Sequence, residues 1–158
     1  MLPGWCDPHT HTVFAVPREE EFVLKLKGAT YQEIAASGGG ILNSARKLRA
    51  MDEDALHDQA RARLEEMMQQ GTVAVEIKSG YGLSLESELK MLRVAARLKA
   101  ALPLQVRTSL LAAHALPAEF ANDREGYLRM ITDELLPAVA SEGLAQYIDA
   151  FCEANYFT

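Results

Sequence analysis

The chain has 158 residues, of which 49% are hydrophobic and 24% charged, and this length predicts one globular domain with a hydrophobic core. The net charge of −6, without any basic tract, excludes nucleic acid as an expected partner because phosphate would be repelled. No apolar run is long enough to span a bilayer and no signal peptide is recognisable, so we expect a cytoplasmic protein that does not enter membranes.

Strand-like and helix-like patterns alternate along the chain. Four strands are predicted, at residues 2–6, 73–77, 104–112 and 147–151. Six helices are predicted between them, at residues 20–27, 31–36, 43–50, 52–70, 85–102 and 127–139. Asp52 is expected to cap the long fourth helix and Gly71 to end it, whereas the glycines at 38–40 are too flexible to remain helical.

The alternation of strands and helices predicts parallel strands joined by right-handed crossovers. Four such units amount to half of an eight-stranded α/β barrel, which needs about 250 residues. We therefore predict a partial TIM-like barrel, with residues 1–158 as a single partial domain of a longer protein. A small, open, doubly wound sheet remains the alternative, because 158 residues would suffice for it.

Two cysteines are too few for a disulfide framework. Cys6 and Cys152 both lie in apolar, strand-like segments, and we predict that they are buried, reduced thiols.

A pair of histidines, His9 and His11, follows the first strand. Side chains alternate along extended backbone, so histidines two residues apart project to the same side. Both imidazoles can then reach one metal ion, and histidine is the commonest metal ligand. Asp7, between them and the strand, is expected to hold the loop or orient a ligand.

Other polar side chains follow the later strands. Lys78 to Tyr81 come after the second strand, His114 after the third and Glu153 after the fourth. Active sites of parallel α/β proteins lie at these carboxyl ends, so the groups are expected to face one opening. By contrast, His57 lies within a helix among charged residues and is expected to be a solvated surface side chain.

Several strings in the chain resemble known motifs. The segment Asp7-Pro8-His9-Thr10-His11 is similar to the first-strand signature of the amidohydrolase superfamily, metal-dependent hydrolases built on a distorted barrel. The remaining strings resemble the imidazolonepropionase family within it, and the string at 76–82 (Glu-Ile-Lys-Ser-Gly-Tyr-Gly) is the most specific. The others lie at residues 31–35, 38–41, 89–93, 113–115 and 151–153.

This resemblance implies hydrolysis of a small-molecule cyclic amide, 4-imidazolone-5-propanoate, to N-formimidoyl-L-glutamate in histidine degradation. It implies one zinc or iron ion with His9 and His11 as ligands. Arg18, Tyr81 and His114 match substrate-binding positions, and His114 is also the expected catalytic residue, hydrogen-bonded to the carbonyl oxygen under attack. The complete enzyme is expected to be a homodimer.

The resemblance also implies parts that lie outside this sequence. The remaining metal ligands, the general base and a small flanking β-domain have no counterpart before Thr158. Catalytic zinc sites ordinarily have three protein ligands, so we expect the chain alone to bind metal weakly and to be inactive. The segment 15–17 and the pair Trp5 and Cys6 depart from the family pattern without changing an expected ligand.

Other interpretations remain open from the sequence. The chain could belong to an amidohydrolase acting on another ring, such as a deaminase, or be a half-barrel assembly module without catalysis. Individually, Arg18 could form a surface ion pair with the glutamates that follow it, Tyr81 could be a packing residue and His114 a structural histidine. Lys78 could extend to the site or to solvent.

Overall fold

Four parallel strands form a single sheet in the order β1-β2-β3-β4. The computed structural model describes residues 2–30, 33, 39–153 and 157. The strands are Trp5–Thr10 (β1), Thr72–Lys78 (β2), Gln105–Ala113 (β3) and Tyr147–Ala150 (β4). Parallel neighbours cannot be joined by a hairpin, so each connection crosses over the sheet.

Helices provide most of these connections. They are Glu19–Leu26 (α1), Gly40–Ala50 (α2), Glu53–Gln69 (α3), Leu85–Ala101 (α4), Arg124–Arg129 (α5) and Leu136–Glu142 (α6). Asp52 caps α3 by accepting the N–H groups of Asp54 and Ala55, as predicted. Ser84 caps α4 by accepting the N–H of Ser87.

The helical run before β4 contains a π-helical segment, Met130–Leu135, between α5 and α6. Pro137 has no N–H to donate to the preceding turn, so the regular hydrogen-bond ladder cannot continue through it. The helix predicted over 127–139 is therefore present but widened in the middle. Gly143 ends the run with a left-handed φ of 63°.

One face of the sheet packs against the helices through two hydrophobic cores. The first joins α2, α3 and α4 to β2 and includes Leu48, Leu56, Leu64, Ile77 and Leu98. The second joins α4 and the last helical run to β3 and includes Leu92, Leu110, Tyr127, Leu135 and Val139. Helix α4 contributes to both cores because it crosses from β2 to β3.

The opposite face of the sheet is open. It lines a cavity of about 510 Å³ whose walls include Cys6, Glu76, Arg107 and Tyr147. Strand order runs without reversal through the described sheet, which argues against the doubly wound alternative. The predicted α/β partial TIM-like barrel of four strands is confirmed.

Two predictions about burial are wrong. Cys6 and Cys152 are free, as expected, but both are exposed. Cys6 faces the open side of the sheet, where the described residues provide no covering layer. His57 is buried, with 9% of its surface exposed, because it lies beside Leu56 on the inner face of α3 and hydrogen-bonds to Asp58.

Element bounds differ from the prediction mainly at the first strand and in the glycine run. Strand β1 continues to Thr10 and so includes His9, and α2 begins at Gly40, the last of the three glycines. The helix predicted over 31–36 lies outside the described residues except for Glu33. No helix in the described ranges is both long and apolar enough to cross a membrane.

Candidate active site

Four rings predicted as site residues meet at the carboxyl ends of β1, β2 and β3. The ring centroid of His11 lies 5.7 Å from that of His9, 4.9 Å from that of Tyr81 and 5.3 Å from that of His114. The His11 and His114 rings are stacked, with an interplanar angle of 9°. Phe151, after β4, completes the group edge-on to His114 at 5.9 Å.

The environment of His11 favours a neutral imidazole. Burial, followed by the charges of His114 and His9, lowers the pKa of His11 to about 4, and hydrogen bonds to the backbone of Lys78 and Ser79 oppose this shift only in part. Its Nδ1 is buried and has no hydrogen-bond partner among the described residues. A neutral ring with an unpaired nitrogen is the form in which histidine binds metal.

The His9–His11 pair fits part of a metal site. Two adjacent imidazoles suit zinc or iron equally well. Among the described residues, however, no group of three or more His, Cys, Asp or Glu side chains is arranged to hold an ion. Asp7 contacts the backbone of this pair, because its Oδ1 accepts a hydrogen bond from the N–H of His9 at 3.4 Å.

His114 is oriented by the loop after β2. Its Nδ1 lies 2.9 Å from the carbonyl oxygen of Gly80, and a carbonyl can only accept, so Nδ1 carries the proton. Burial lowers the pKa of His114, although this hydrogen bond acts in the opposite direction. The neutral ring therefore has an unprotonated Nε2.

Arg18 lies against the same group of rings. Its Nε donates to Ser44 Oγ at 2.9 Å, and its guanidinium carbon is 5.4 Å from the centroid of Tyr81. Nη1 is 3.9 Å from Glu21, so the expected ion pair exists at a long distance. Nη2, by contrast, is buried without a hydrogen-bond partner in the described part of the chain.

A cavity of about 270 Å³ connects these side chains. His11, Arg18, Tyr81 and Ser44 line it, together with apolar groups that include Leu48. The guanidinium of Arg18, the phenol of Tyr81 and the neutral imidazole of His11 thus line the same cavity. This combination suits a small ligand that carries both a carboxylate and a polar ring.

Lys78 and Glu153 do not join the group of rings. Lys78 is buried, and its Nζ forms ion pairs with Glu76 at 2.8 Å and Asp149 at 2.9 Å. Burial acts to raise the pKa of Glu76, but hydrogen bonds from Lys78 and Ser109 outweigh it and lower the pKa. Glu153 is exposed.

Sequence reasoning missed two residues that hold the loop carrying Tyr81. Glu88, on α4, accepts hydrogen bonds from backbone N–H groups of this loop, and Arg49, on α2, donates to its carbonyls. Glu88 shares the buried face of α4 with Met91, Leu92 and Ala95. A carboxylate at a position whose neighbours at helical spacing are all apolar was the available signal.

Similar proteins align with the chain over all or nearly all of its length. No family model matches it. An imidazolonepropionase from Flavobacterium psychrophilum is 51% identical over all 158 residues, and one from Pseudomonas putida strain GB-1 is 54% identical over the same length. One from Aeromonas salmonicida is 53% identical over 151 residues. The chain spans only 38%, 39% and 37% of these three relatives, respectively. The resemblance predicted from the motifs is therefore confirmed, and the chain is a homologue of part of the imidazolonepropionases.

Proposed function

We propose that the chain provides part of the active site for the hydrolysis of 4-imidazolone-5-propanoate to N-formimidoyl-L-glutamate. The relatives carry the name of this activity at 51–54% identity. The observation that carries the proposal is the convergence of His11, Arg18 and Tyr81 on one cavity, with His114 packed against two of them. Each of these groups matches one chemical feature of the substrate.

Arg18 binds the propanoate tail. Its Nη2 is buried and unpaired among the described residues, while Nε is fixed by Ser44, so the guanidinium has an oriented donor to offer. A carboxylate in the cavity would satisfy this donor through a charge-assisted hydrogen bond.

Tyr81 and His114 bind the ring of the substrate. The Tyr81 hydroxyl can donate to a ring oxygen or nitrogen. His114 uses its Nδ1 proton on Gly80, so neutral His114 accepts a hydrogen bond at Nε2. The expected donation to the carbonyl oxygen under attack requires a second proton on this ring, which makes His114 a proton carrier as well as a binding group.

His9 and His11 would hold one zinc or iron ion as two of its ligands. Such an ion, when bound, lowers the pKa of water to about 7 and so supplies hydroxide at neutral pH. Further ligands and the general base must come from residues beyond those described. We also propose that the chain is a single partial barrel domain that acts within a longer, cytoplasmic, homodimeric enzyme.

Binding of a substrate analogue tests the proposal. We expect 3-(imidazol-4-yl)propanoate to bind the chain, and 4-propylimidazole, which lacks the carboxylate, to bind at least about tenfold more weakly. The substitution Arg18→Gln should remove this preference, measured by calorimetric titration. Arg46→Gln is the matched control, because Arg46 is exposed and, among the residues that the structure describes, hydrogen-bonds only to Asn43. Equal affinity of the wild-type chain for both ligands would contradict the proposal.

A hydrolysis assay with added zinc or iron tests the role of the chain by itself. Two histidine ligands fall short of the three that catalytic zinc sites usually have, so we expect no turnover of 4-imidazolone-5-propanoate by the chain alone. Measurable turnover would show that these residues form a complete site. The second candidate function is a half-barrel module without catalysis. It also predicts no turnover, but unlike the first it predicts equal affinity for 3-(imidazol-4-yl)propanoate and 4-propylimidazole.

A further inference from the structure

The loop 79–83, between β2 and α4, carries Tyr81 and contacts His114. Gly80 has a φ of +108° and Leu83 a φ of 53°, conformations that most side chains avoid. A Cβ on Gly80 would lie 2.7 Å from the carbonyl oxygen of Leu111 and 2.9 Å from His114 Nδ1. The loop is thus closely packed against the site and needs external contacts to keep its shape.

The N–H groups of this loop converge on one carboxylate. Glu88 Oε2 accepts the N–H of Gly80 at 2.9 Å, and Oε1 accepts those of Gly82 and Leu83, each at 2.8 Å. The side chain of Glu88 is fully buried, with 0% exposed. A buried carboxylate is costly unless donors surround it, so its place in the core is explained by these loop contacts.

The carbonyl groups of the loop are held from the other side. Arg49 donates from Nε to the oxygen of Gly82 at 2.8 Å and from Nη2 to that of Leu83 at 2.7 Å. Its Nη1 forms an ion pair with Glu119 at 2.6 Å, beyond β3. The planar guanidinium thus fixes two successive carbonyls in one orientation.

We infer that Glu88 and Arg49 are positioning residues that fix the backbone on both sides of Tyr81, so that its ring and that of His114 face the cavity. We call these two side chains the Glu88–Arg49 clamp. The expected effect of the clamp on ligand binding rests on the proposed function, whereas its hydrogen bonds to the loop do not. The hydrogen bonds of the clamp go to the backbone of Gly80, Gly82 and Leu83, so it acts on Tyr81 through the residues on either side.

The decisive variant is Glu88→Gln in the full chain. A glutamine has one oxygen, which can serve Gly82 and Leu83 together, and its NH₂ group cannot accept from Gly80. We expect the Gly80 amide to exchange with solvent about tenfold faster or more, measured by hydrogen-exchange NMR, while β1 amides keep their rates. Glu86→Gln is the control, because Glu86 is exposed on the same helix.

The position of Tyr81 provides a readout that a general loss of stability would not give. In the wild-type chain the Tyr81 and His114 centroids are 5.4 Å apart, which predicts nuclear Overhauser contacts between the rings. We expect these contacts to weaken in Glu88→Gln and in Arg49→Lys, because a lysine ammonium cannot reproduce the rigid, planar pair of donors that Nε and Nη2 of Arg49 direct at the two carbonyls. They should persist in Arg46→Lys. Affinity for 3-(imidazol-4-yl)propanoate should fall about tenfold in the first two variants.

Each outcome decides between distinct conclusions. An unchanged Gly80 exchange rate in Glu88→Gln, or unchanged ring contacts in Arg49→Lys, would overturn the inference. If Glu88→Gln fails to fold, the ring contacts of Arg49→Lys decide, and unfolding of both variants would assign the pair to general stability instead. Failure of the wild-type chain to bind the analogue would refute the proposed function, whereas Gly80 exchange and ring contacts would still test the clamp.

Discussion

Two buried hydroxyl groups, those of Tyr127 and Thr108, donate hydrogen bonds to backbone carbonyls. The hydroxyl of Tyr127 donates to the carbonyl of Ala112 at 2.9 Å, and that of Thr108 donates to the carbonyl of Leu144 at 2.7 Å. Both contacts join β3 to the helical run that crosses it or to the segment before β4. Single hydrogen bonds of this kind fix how the helices sit on the strands.

The substitution Tyr127→Phe should therefore destabilise the chain. It keeps the ring in the core but leaves the Ala112 carbonyl without this donor, at a cost of about 1–3 kcal/mol in the free energy of unfolding. Urea unfolding measures the change. Tyr147→Phe is the control, because Tyr147 is 58% exposed and its substitution should have little effect. Equal effects of the two substitutions would contradict the prediction.

The buried carboxyl of Glu88 predicts a dependence of stability on pH. Burial raises its pKa above the ordinary value of 4.5, against the opposing hydrogen bonds from Ser79 and the loop amides. Between 4.5 and the raised pKa the folded chain binds more protons than the unfolded chain. The stabilisation from this group is thus complete below pH 4.5 and is lost as the pH rises through the folded pKa.

Urea unfolding of the wild-type chain and Glu88→Gln across this range tests the sign. The stability of the wild type relative to the variant should decrease as the pH rises above 4.5, because glutamine does not titrate. A constant or increasing difference would show that the folded pKa is not raised.

The candidate site was predictable where the residue type itself indicates a chemical role. His9 lies near the end of β1, and His11, Tyr81 and His114 follow strands. Because the carboxyl ends of parallel strands share one edge, the meeting of these side chains follows from the topology. The apolar neighbours of Glu88 indicate that it is buried, but its role was not predicted because its partners are backbone amides. The residue types of the loop 79–83 do not indicate that its N–H groups point towards α4.

At the scale of elements, α2 depends on a side chain from another helix. Lys90, on α4, donates from Nζ to the carbonyl oxygens of Leu48 at 2.8 Å, Arg49 at 3.2 Å and Met51 at 2.8 Å. Carbonyls in the last turn of a helix lack a following turn to donate to them, although that of Leu48 also accepts the N–H of Met51 at 3.2 Å, and a cation near a helix C-terminus is favourable. Helix α2 in turn carries two site contacts, Ser44 and Arg49.

Replacing this cap should loosen α2. Lys90→Met keeps the aliphatic stem but removes three hydrogen bonds, and we expect a loss of about 1–3 kcal/mol in the free energy of unfolding. Lys99→Met, at an exposed position in the last turn of α4, is the matched control. Hydrogen exchange should accelerate in α2 more than in α3. A uniform change in both helices would argue against a local cap.

Helices were predicted well where periodicity is clear, as in α3, whose cap Asp52 was also expected, and in α4, whose cap Ser84 was not. The π-helical segment 130–135 was not predicted, because Pro137 alone indicates an interruption but not how the backbone absorbs it. The start of α2 at Gly40 was also missed. Its N–H bonds to Glu21 of α1 at 2.9 Å, a tertiary contact that glycine propensity does not include.

At the scale of the whole molecule, the two outer strands of the described sheet have unpaired edges. Strand β1 pairs only with β2, and β4 only with β3. Exposed apolar side chains accompany these edges, with Trp5 at 70%, Tyr147 at 58% and Ile148 at 60%. Such edges recruit further strands unless charge or covering segments block them.

We therefore expect the chain to self-associate with rising concentration. Ile148→Lys places a charge on the β4 edge and should reduce association, measured by sedimentation velocity. Leu26→Lys is the control, because Leu26 is 72% exposed but lies on α1, away from the sheet. If both lysine variants reduce association equally, general hydrophobicity rather than the strand edge would be responsible.

The architecture of the molecule was predictable from the period of strands and helices, and an open inner face is expected of a half-barrel but not of the doubly wound alternative. Periodicity is the same for a half-barrel and for a sheet covered on both sides, so it left the two alternatives open. The burial predicted for Cys6 failed for this reason, since the prediction presumed a covered strand. Only the strand order, which places successive units side by side, separates the two.

That strand order also bears on how the chain is made. Each described strand hydrogen-bonds only to strands adjacent in the sequence, so none must wait for a segment synthesised much later. A nascent polypeptide emerging from the ribosome can add one strand-and-helix unit at a time to a growing template. The imidazole pair at the end of β1 would then acquire Tyr81 and afterwards His114 in the order of translation, each docking on a surface already in place.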